Sequence, residues 1–196
     1  EPYQNRIMTT GEIGKFFVNG TQVALVAGAV SGNLECLDFD EPSLWRPFND
    51  TVESVNPDLR ARLGVWQETP SGGYHLLLRC TEPVSGNVKL AMATPRQDEH
   101  GIRKQDVLIE TRGQGGYFLV APSVGYTLHG KLSEIPVLKP DELNLLHGIA
   151  RSFDEIAHQK QNVPTSDDFS AGDRPGDVFN RENDWQPLLE REGWSY

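Results

Sequence analysis

The chain is short of cysteine, of long apolar runs and of positive charge, and each shortage removes a class of protein. Its two cysteines, Cys36 and Cys80, stand in no CxxC pair and beside no histidine at ligand spacing, so no structural zinc site is expected. Both fall in apolar, strand-like runs and read as buried thiols of a reducing, cytoplasmic compartment. No apolar run approaches the roughly 20 residues that cross a bilayer. The opening residues Glu1–Arg6 hold no apolar signal region and no initiator methionine, which fits a fragment or a trimmed chain. Lys and Arg number 18 against 28 Asp and Glu, a net charge of −10. Phosphate neutralisation supplies most of the affinity of a dedicated DNA-binding module, so this balance argues against tight stand-alone DNA binding. It leaves room for a metal-dependent enzyme that holds nucleic acid weakly and draws affinity from other domains. There is no GxxxxGK[ST] and no HExxH, and the Gly-rich stretch at 113–116 precedes a strand rather than a helix, which excludes a dinucleotide fingerprint.

What is present fits one domain of ordinary size with a tail. Thr9 and Glu12 have capping-box spacing, so a short helix is expected over 9–18. Residues 22–30, 34–40, 74–80, 106–112 and 117–121 read as strands. Pro47 and Pro57 break any helix over 43–63. Leu146, Ile149, Ala150, Phe153, Ile156 and Ala157 recur at helical spacing, which predicts an amphipathic helix to about His158. Residues 163–180 read as a linker or ordered loop, and 184–191 as one short helix. The sum is an α+β domain over 1–162, a mainly antiparallel sheet with helices on its back, followed by a tail over 163–196.

Three places carry possible chemistry. In Leu37-Asp38-Phe39-Asp40 the two acids are i and i+2, so on a strand they project from one face. Such a pair repels unless a cation lies between, and hard oxygen ligands suit Mg²⁺ or Mn²⁺; the plainer reading is the start of a solvated turn. Ser71-Gly72-Gly73-Tyr74-His75 could bring backbone and hydroxyl donors to a phosphate, with His75 and Arg79 on one strand face, or could be a hairpin turn with a structural histidine. In Leu108-Ile109-Glu110-Thr111-Arg112, Glu110 needs a partner. Arg112 supplies one structurally, or Glu110 is a third metal ligand and Arg112 meets substrate. Taken in order, the three describe a metal-plus-triphosphate site for in-line phosphoryl chemistry. Trp45, Trp66 or Tyr117 could serve as a platform for template bases, or simply pack.

The runs GNLECLDFD, TPSGGYHLLL and VLIETRGQGGYFLVAPS resemble the bifunctional primase-polymerase domains of the archaeo-eukaryotic primase superfamily, found in plasmids, phages and prophages. Asp38 and Asp40 match its hhhDhD motif, Ser71 and His75 its S-G-G-x-H motif, and Glu110 its hydrophobic-acid-x-R-G motif. The resemblance covers roughly 9–126, and Gly86–Ala91 also looks like a stretch of these domains. It implies an RRM-like sheet with a second small α/β lobe. It implies Asp38, Asp40 and Glu110 as catalytic metal ligands for Mg²⁺ or Mn²⁺. Ser71, Gly72, Gly73, His75 and Arg112 would then bind the nucleotide. The implied activity is DNA primase or DNA polymerase nucleotidyl transfer on single-stranded template or primer with dNTP or NTP. The segment 172–194 resembles one that precedes a helicase, an implied partner. The usual Gly-Trp and Gly-Lys-x-Pro signatures and the zinc element of some members are absent, so part of the template or nucleotide surface is expected to be missing. Two other readings stay open: a replication domain that only docks DNA or a helicase, and a metal-dependent nuclease.

Overall fold

Alternating apolar and polar residues commit the central segments to strands, and their register builds one sheet. The computed structural model describes residues 2–18 and 20–156. Its elements are α1 (Thr10–Phe16), β1 (Val23–Val26), β2 (Leu34–Phe39), α2 (Trp45–Val55), α3 (Pro57–Arg62), β3 (Trp66–Glu68), β4 (Tyr74–Cys80), β5 (Lys89–Met92), β6 (Arg96–Gln97), β7 (Arg103–Lys104), β8 (Val107–Arg112), β9 (Tyr117–Val120), β10 (Thr127–His129), β11 (Val137–Leu138) and α4 (Pro140–Arg151). The linker and short helix expected over 163–196 lie outside the described residues.

The main sheet runs β10-β3-β4-β2-β8-β5, antiparallel throughout. β11 joins β4 in parallel beside Arg79 and Cys80, continuing the edge that β3 occupies beside Tyr74–Leu76. β1 and β9 form a separate antiparallel ribbon, and β6 and β7 a short hairpin. The domain is thus α+β, with helices and a mainly antiparallel sheet. Among the described residues no helix is long and apolar enough to cross a membrane.

Strand periodicity divides the side chains between two cores. Leu37, Phe39, Leu76, Leu78 and Ile109 pack with Phe48 and Val52 of α2, Leu59 of α3 and Leu143 and Leu146 of α4. Leu34, Cys36 and Leu77 point the other way, toward Phe118 and Val120 of the ribbon. β2 is therefore buried on both faces, and all six of its residues are buried. The two cysteines fall on opposite faces, both buried and both free thiols.

The helices follow their local signals with two differences. Thr9 and Glu12 form the expected capping box at α1. Asn56 caps α3 and Pro57 opens it, which separates it from α2. Pro47 does not break α2, because it sits in the first turn, where a missing N–H costs nothing. The helix that starts at Pro140 ends at Arg151, the chain is helical again at Glu155 and Ile156, and the end expected near His158 lies outside the described residues. At the break, Asp154 and Glu155 accept hydrogen bonds from the backbone N–H groups of Met92 (3.1 Å) and Thr94 (2.7 Å), so the sheet edge interrupts the helical run at 152–154.

Gly73 marks where the β3–β4 turn meets the end of β2. A Cβ there would lie 2.4 Å from the Phe39 carbonyl oxygen, so only glycine fits. Gly73→Ala should destabilise the fold by about 1–3 kcal/mol, the usual cost of overpacking. Urea denaturation checks this; a midpoint equal to that of the parent would refute the close approach.

Candidate functional site

The site follows from strand register. Asp38 on the central strand β2 faces His75 on β4 and Glu110 on β8. One step further out, His75 faces Gln67 on β3 and Glu110 faces Lys89 on β5. Cross-strand partners share a face, so five strands set Gln67, His75, Asp38, Glu110 and Lys89 in one row on the ribbon side of the sheet. Asp38 is 7% exposed, His75 5% and Gln67 0%.

Groups so deeply placed need partners. His75 Nε2 lies 3.3 Å from Asp38 Oδ1. Arg112, two residues beyond Glu110 on the same strand face, donates from Nε and a terminal nitrogen to Asp38 Oδ2 at 3.3 Å each, and also pairs with Glu110. Arg112 thus makes the pair with Glu110 that the structural reading expected, and it also reaches the first acidic motif. Asp40 lies just past β2, where its N–H and that of Glu41 donate to the Leu108 carbonyl. Carboxylate oxygens of Asp38, Asp40 and Glu110 come within 4.8 Å of one another. An all-carboxylate donor set at this spacing suits a hard divalent cation, and the Arg112 guanidinium shows that positive charge is accepted there.

The two aspartates differ in electrostatic setting. Burial pushes the Asp38 pKa up, but the hydrogen bond and charge of His75 and the Arg112 guanidinium outweigh it, and the net direction is down. Asp40 goes up, first through burial and then through repulsion from Asp38 and Glu110. Burial opposes the charge on Arg112, yet Glu110 and Asp38 more than offset it and raise its pKa.

The carboxylates stand between two cavities. One, of about 420 Å³, is lined by Asp38, His75, Asn87, Arg112, Tyr117 and Tyr126 among others. The other, of about 910 Å³, opens beside Asp40 and reaches Arg96, Gln105 and Asp106. Ser71, Gly72 and Gly73 line neither; they form the turn against Phe39 and Pro42, with the Ser71 hydroxyl 3.0 Å from that of Thr69. Arg79 shares the His75 strand face but bonds the Ser31 carbonyl, away from the carboxylates. Of the three aromatic candidates only Tyr117 lines the site. Trp45 and Trp66 cluster with Tyr74 on the helix side of the sheet, and Trp66 stacks on His129 at 3.8 Å.

Gln67 and Tyr126 had no place in the sequence reading, and Asn87 entered it only as part of the Gly86–Ala91 stretch, with no role. Tyr126 sits in a loop with no motif around it. Gln67 was legible in principle: counting back from the Thr69–Gly73 turn by the steps that lead forward to His75 arrives at it.

A family model described as bifunctional DNA primase/polymerase, N-terminal, matches residues 9–143. That span holds every candidate residue named above. No curated protein matches the chain.

The opposite directions of the two aspartates make a signed prediction. Asp38 is depressed, so it contributes stability above the ordinary carboxylate pKa of about 3.9 that is lost as pH falls through its folded value. Asp40 is raised, so its contribution is fully present below about pH 3.9 and is lost as pH rises through its folded value. In metal-free buffer Asp40→Asn should therefore raise Tm by about 1–3 °C at pH 7 and leave it nearly unchanged in acid below about pH 4. A thermal scan across that range in which the variant melts lower at pH 7 would contradict the assigned repulsion.

Proposed function

Because the chain belongs to the bifunctional DNA primase/polymerase family, we propose that it catalyses metal-dependent, template-directed nucleotidyl transfer, as a primase, a polymerase or both. The observation that carries the reading is the convergence of Asp38, Asp40 and Glu110 on one sheet face, with Arg112 and His75 beside them. In this reading the sheet with helices on one face is of the RRM-like, archaeo-eukaryotic primase type. Residues 1–162 are the catalytic domain, with a helicase following the tail as the replication partner.

Asp38, Asp40 and Glu110 would hold Mg²⁺ or Mn²⁺, hard cations that match three carboxylates. Such ions supply charge neutralisation for a triphosphate and ease loss of the primer 3′-hydroxyl proton. Arg112 neutralises Asp38 and Glu110 and lies on the wall of the 420 Å³ cavity, from which it can donate to a nucleotide phosphate. His75 offers a ring N–H to the same cavity. Ser71, Gly72 and Gly73 would offer donors to the nucleotide from the turn that lies against Phe39 and Pro42. Two cavities flanking one carboxylate cluster suit a reaction with two substrates, an incoming dNTP or NTP and a primer end on single-stranded template. The acidic surface fits an enzyme that takes template affinity from neighbouring domains.

Three acids also suit phosphodiester hydrolysis, and one assay separates the readings. A labelled primer on a template, with dNTPs and Mn²⁺ or Mg²⁺, should grow. Asp38→Ala and Asp40→Ala should each cut extension at least about 100-fold. His75→Ala should mainly raise the nucleotide KM, by about 10-fold, the worth of one charge-assisted hydrogen bond. Primer shortening would indicate a nuclease. Metal-dependent nucleotide binding without turnover would indicate a docking domain.

A further inference from the structure

Gln67 is a fully buried amide that no part of the proposed chemistry uses. Its Oε1 meets the Ala121 backbone N–H at 3.2 Å, and its Nε2 meets the Leu119 carbonyl at 2.7 Å and His75 Nδ1 at 2.8 Å. The two backbone groups settle which end of the amide is which. A backbone N–H only donates, so the atom at Ala121 is the oxygen. A carbonyl only accepts, so the atom at Leu119 is the nitrogen. Turning the amide over would set N–H against N–H and oxygen against oxygen.

The consequence passes to His75. An amide nitrogen only donates, so the ring atom it meets, Nδ1, must carry the lone pair. In the neutral ring the proton is then on Nε2, which lies 3.3 Å from Asp38 Oδ1. Turning the ring over would set carbon atoms against both Gln67 and Asp38. Phe118 closes on the ring edge-to-face at 5.7 Å between centroids and limits that motion.

We propose that Gln67 is a positioning residue that holds His75 as an Nε2–H donor toward Asp38 and the cavity beside it. This rests on the reading of that cavity as the nucleotide site. The polarity matters because the group that Nε2 faces is anionic: the Asp38 carboxylate, or in the proposed nucleotide site a phosphate oxygen. The other tautomer would present a lone pair to a negative charge. Gln67 is anchored at the end of β9 through Leu119 and Ala121. The ribbon, the histidine and the metal-binding carboxylate are therefore joined by one chain of hydrogen bonds, and outer partners of this kind orient ligands they never touch.

The test reads the tautomer directly, by long-range ¹H–¹⁵N correlation of the His75 ring in the full metal-free chain with the ring neutral, beside primer extension. The wild-type ring should show a protonated Nε2 and an unprotonated Nδ1. Gln67→Leu, which removes the donor, should give a mixture of tautomers, and Gln67→Glu, which turns the donor into an acceptor, should move a proton to Nδ1. Folded variants should lose about 10-fold or more in extension. A wild-type ring protonated on Nδ1, which needs no variant to observe, overturns the proposal. So does an unchanged tautomer in both variants, or unchanged extension by a variant whose tautomer has shifted. The NMR result stands even if the wild type extends no primer, so failure of the function and failure of the Gln67 assignment remain distinct.

Discussion

A strand buried on both faces cannot carry a charge without a partner, and β2 carries two. Glu35 points to the helix side and meets His147 of α4, with Nε2 and Oε1 2.6 Å apart. Asp38 points to the ribbon side and meets His75 and Arg112. Each acid is tied to an element distant in sequence, so the demand for neutralisation at β2 also fixes how α4, β4 and β8 lie around it. The functional face is thus one half of a single electrostatic problem. On the helix side it is closed by one histidine. On the ribbon side, Glu110 and Asp40 add more negative charge than Arg112 and His75 remove.

That imbalance is what favours the proposed metal site over a closed structural ion-pair cluster. A closed set of pairs would leave every carboxylate with an ordinary or lowered pKa. Here Asp38 is lowered and its neighbour Asp40 is raised. The fold places an exposed acid where its charge is unwelcome, beside the larger of the two cavities, a setting that a divalent cation would relieve.

Much of this was legible because the acids interrupt strands whose period is two. Leu34–Asp40, Tyr74–Cys80 and Asp106–Arg112 announce their faces, and the structure sets Asp38, His75 and Glu110 side by side. Other parts depend on pairing, which no local pattern encodes. β3, β10 and β11 have three residues or fewer, too few for alternation to register. The order β4-β2-β8, which puts Asp38 in the middle, follows from hairpin and crossover geometry rather than from any one segment. The break after α4 falls where Asp154 and Glu155 meet sheet-edge N–H groups far away in sequence. Gln67 escaped notice because an amide in a strand looks like any polar residue until its cross-strand neighbour is known.

The β3–β4 turn shows how such a site is bounded in evolution. Surface turns ordinarily accept extra residues freely. This one sets the register by which Gln67 meets His75, and its Gly73 is pressed against the Phe39 carbonyl. Lengthening it by a single residue would slip β3 by one place and turn Gln67 to the helix side and Trp66 to the ribbon side. The loop behaves as a ruler whose length is set by chemistry several residues away. Among homologous sequences its spacing should therefore vary less than its composition.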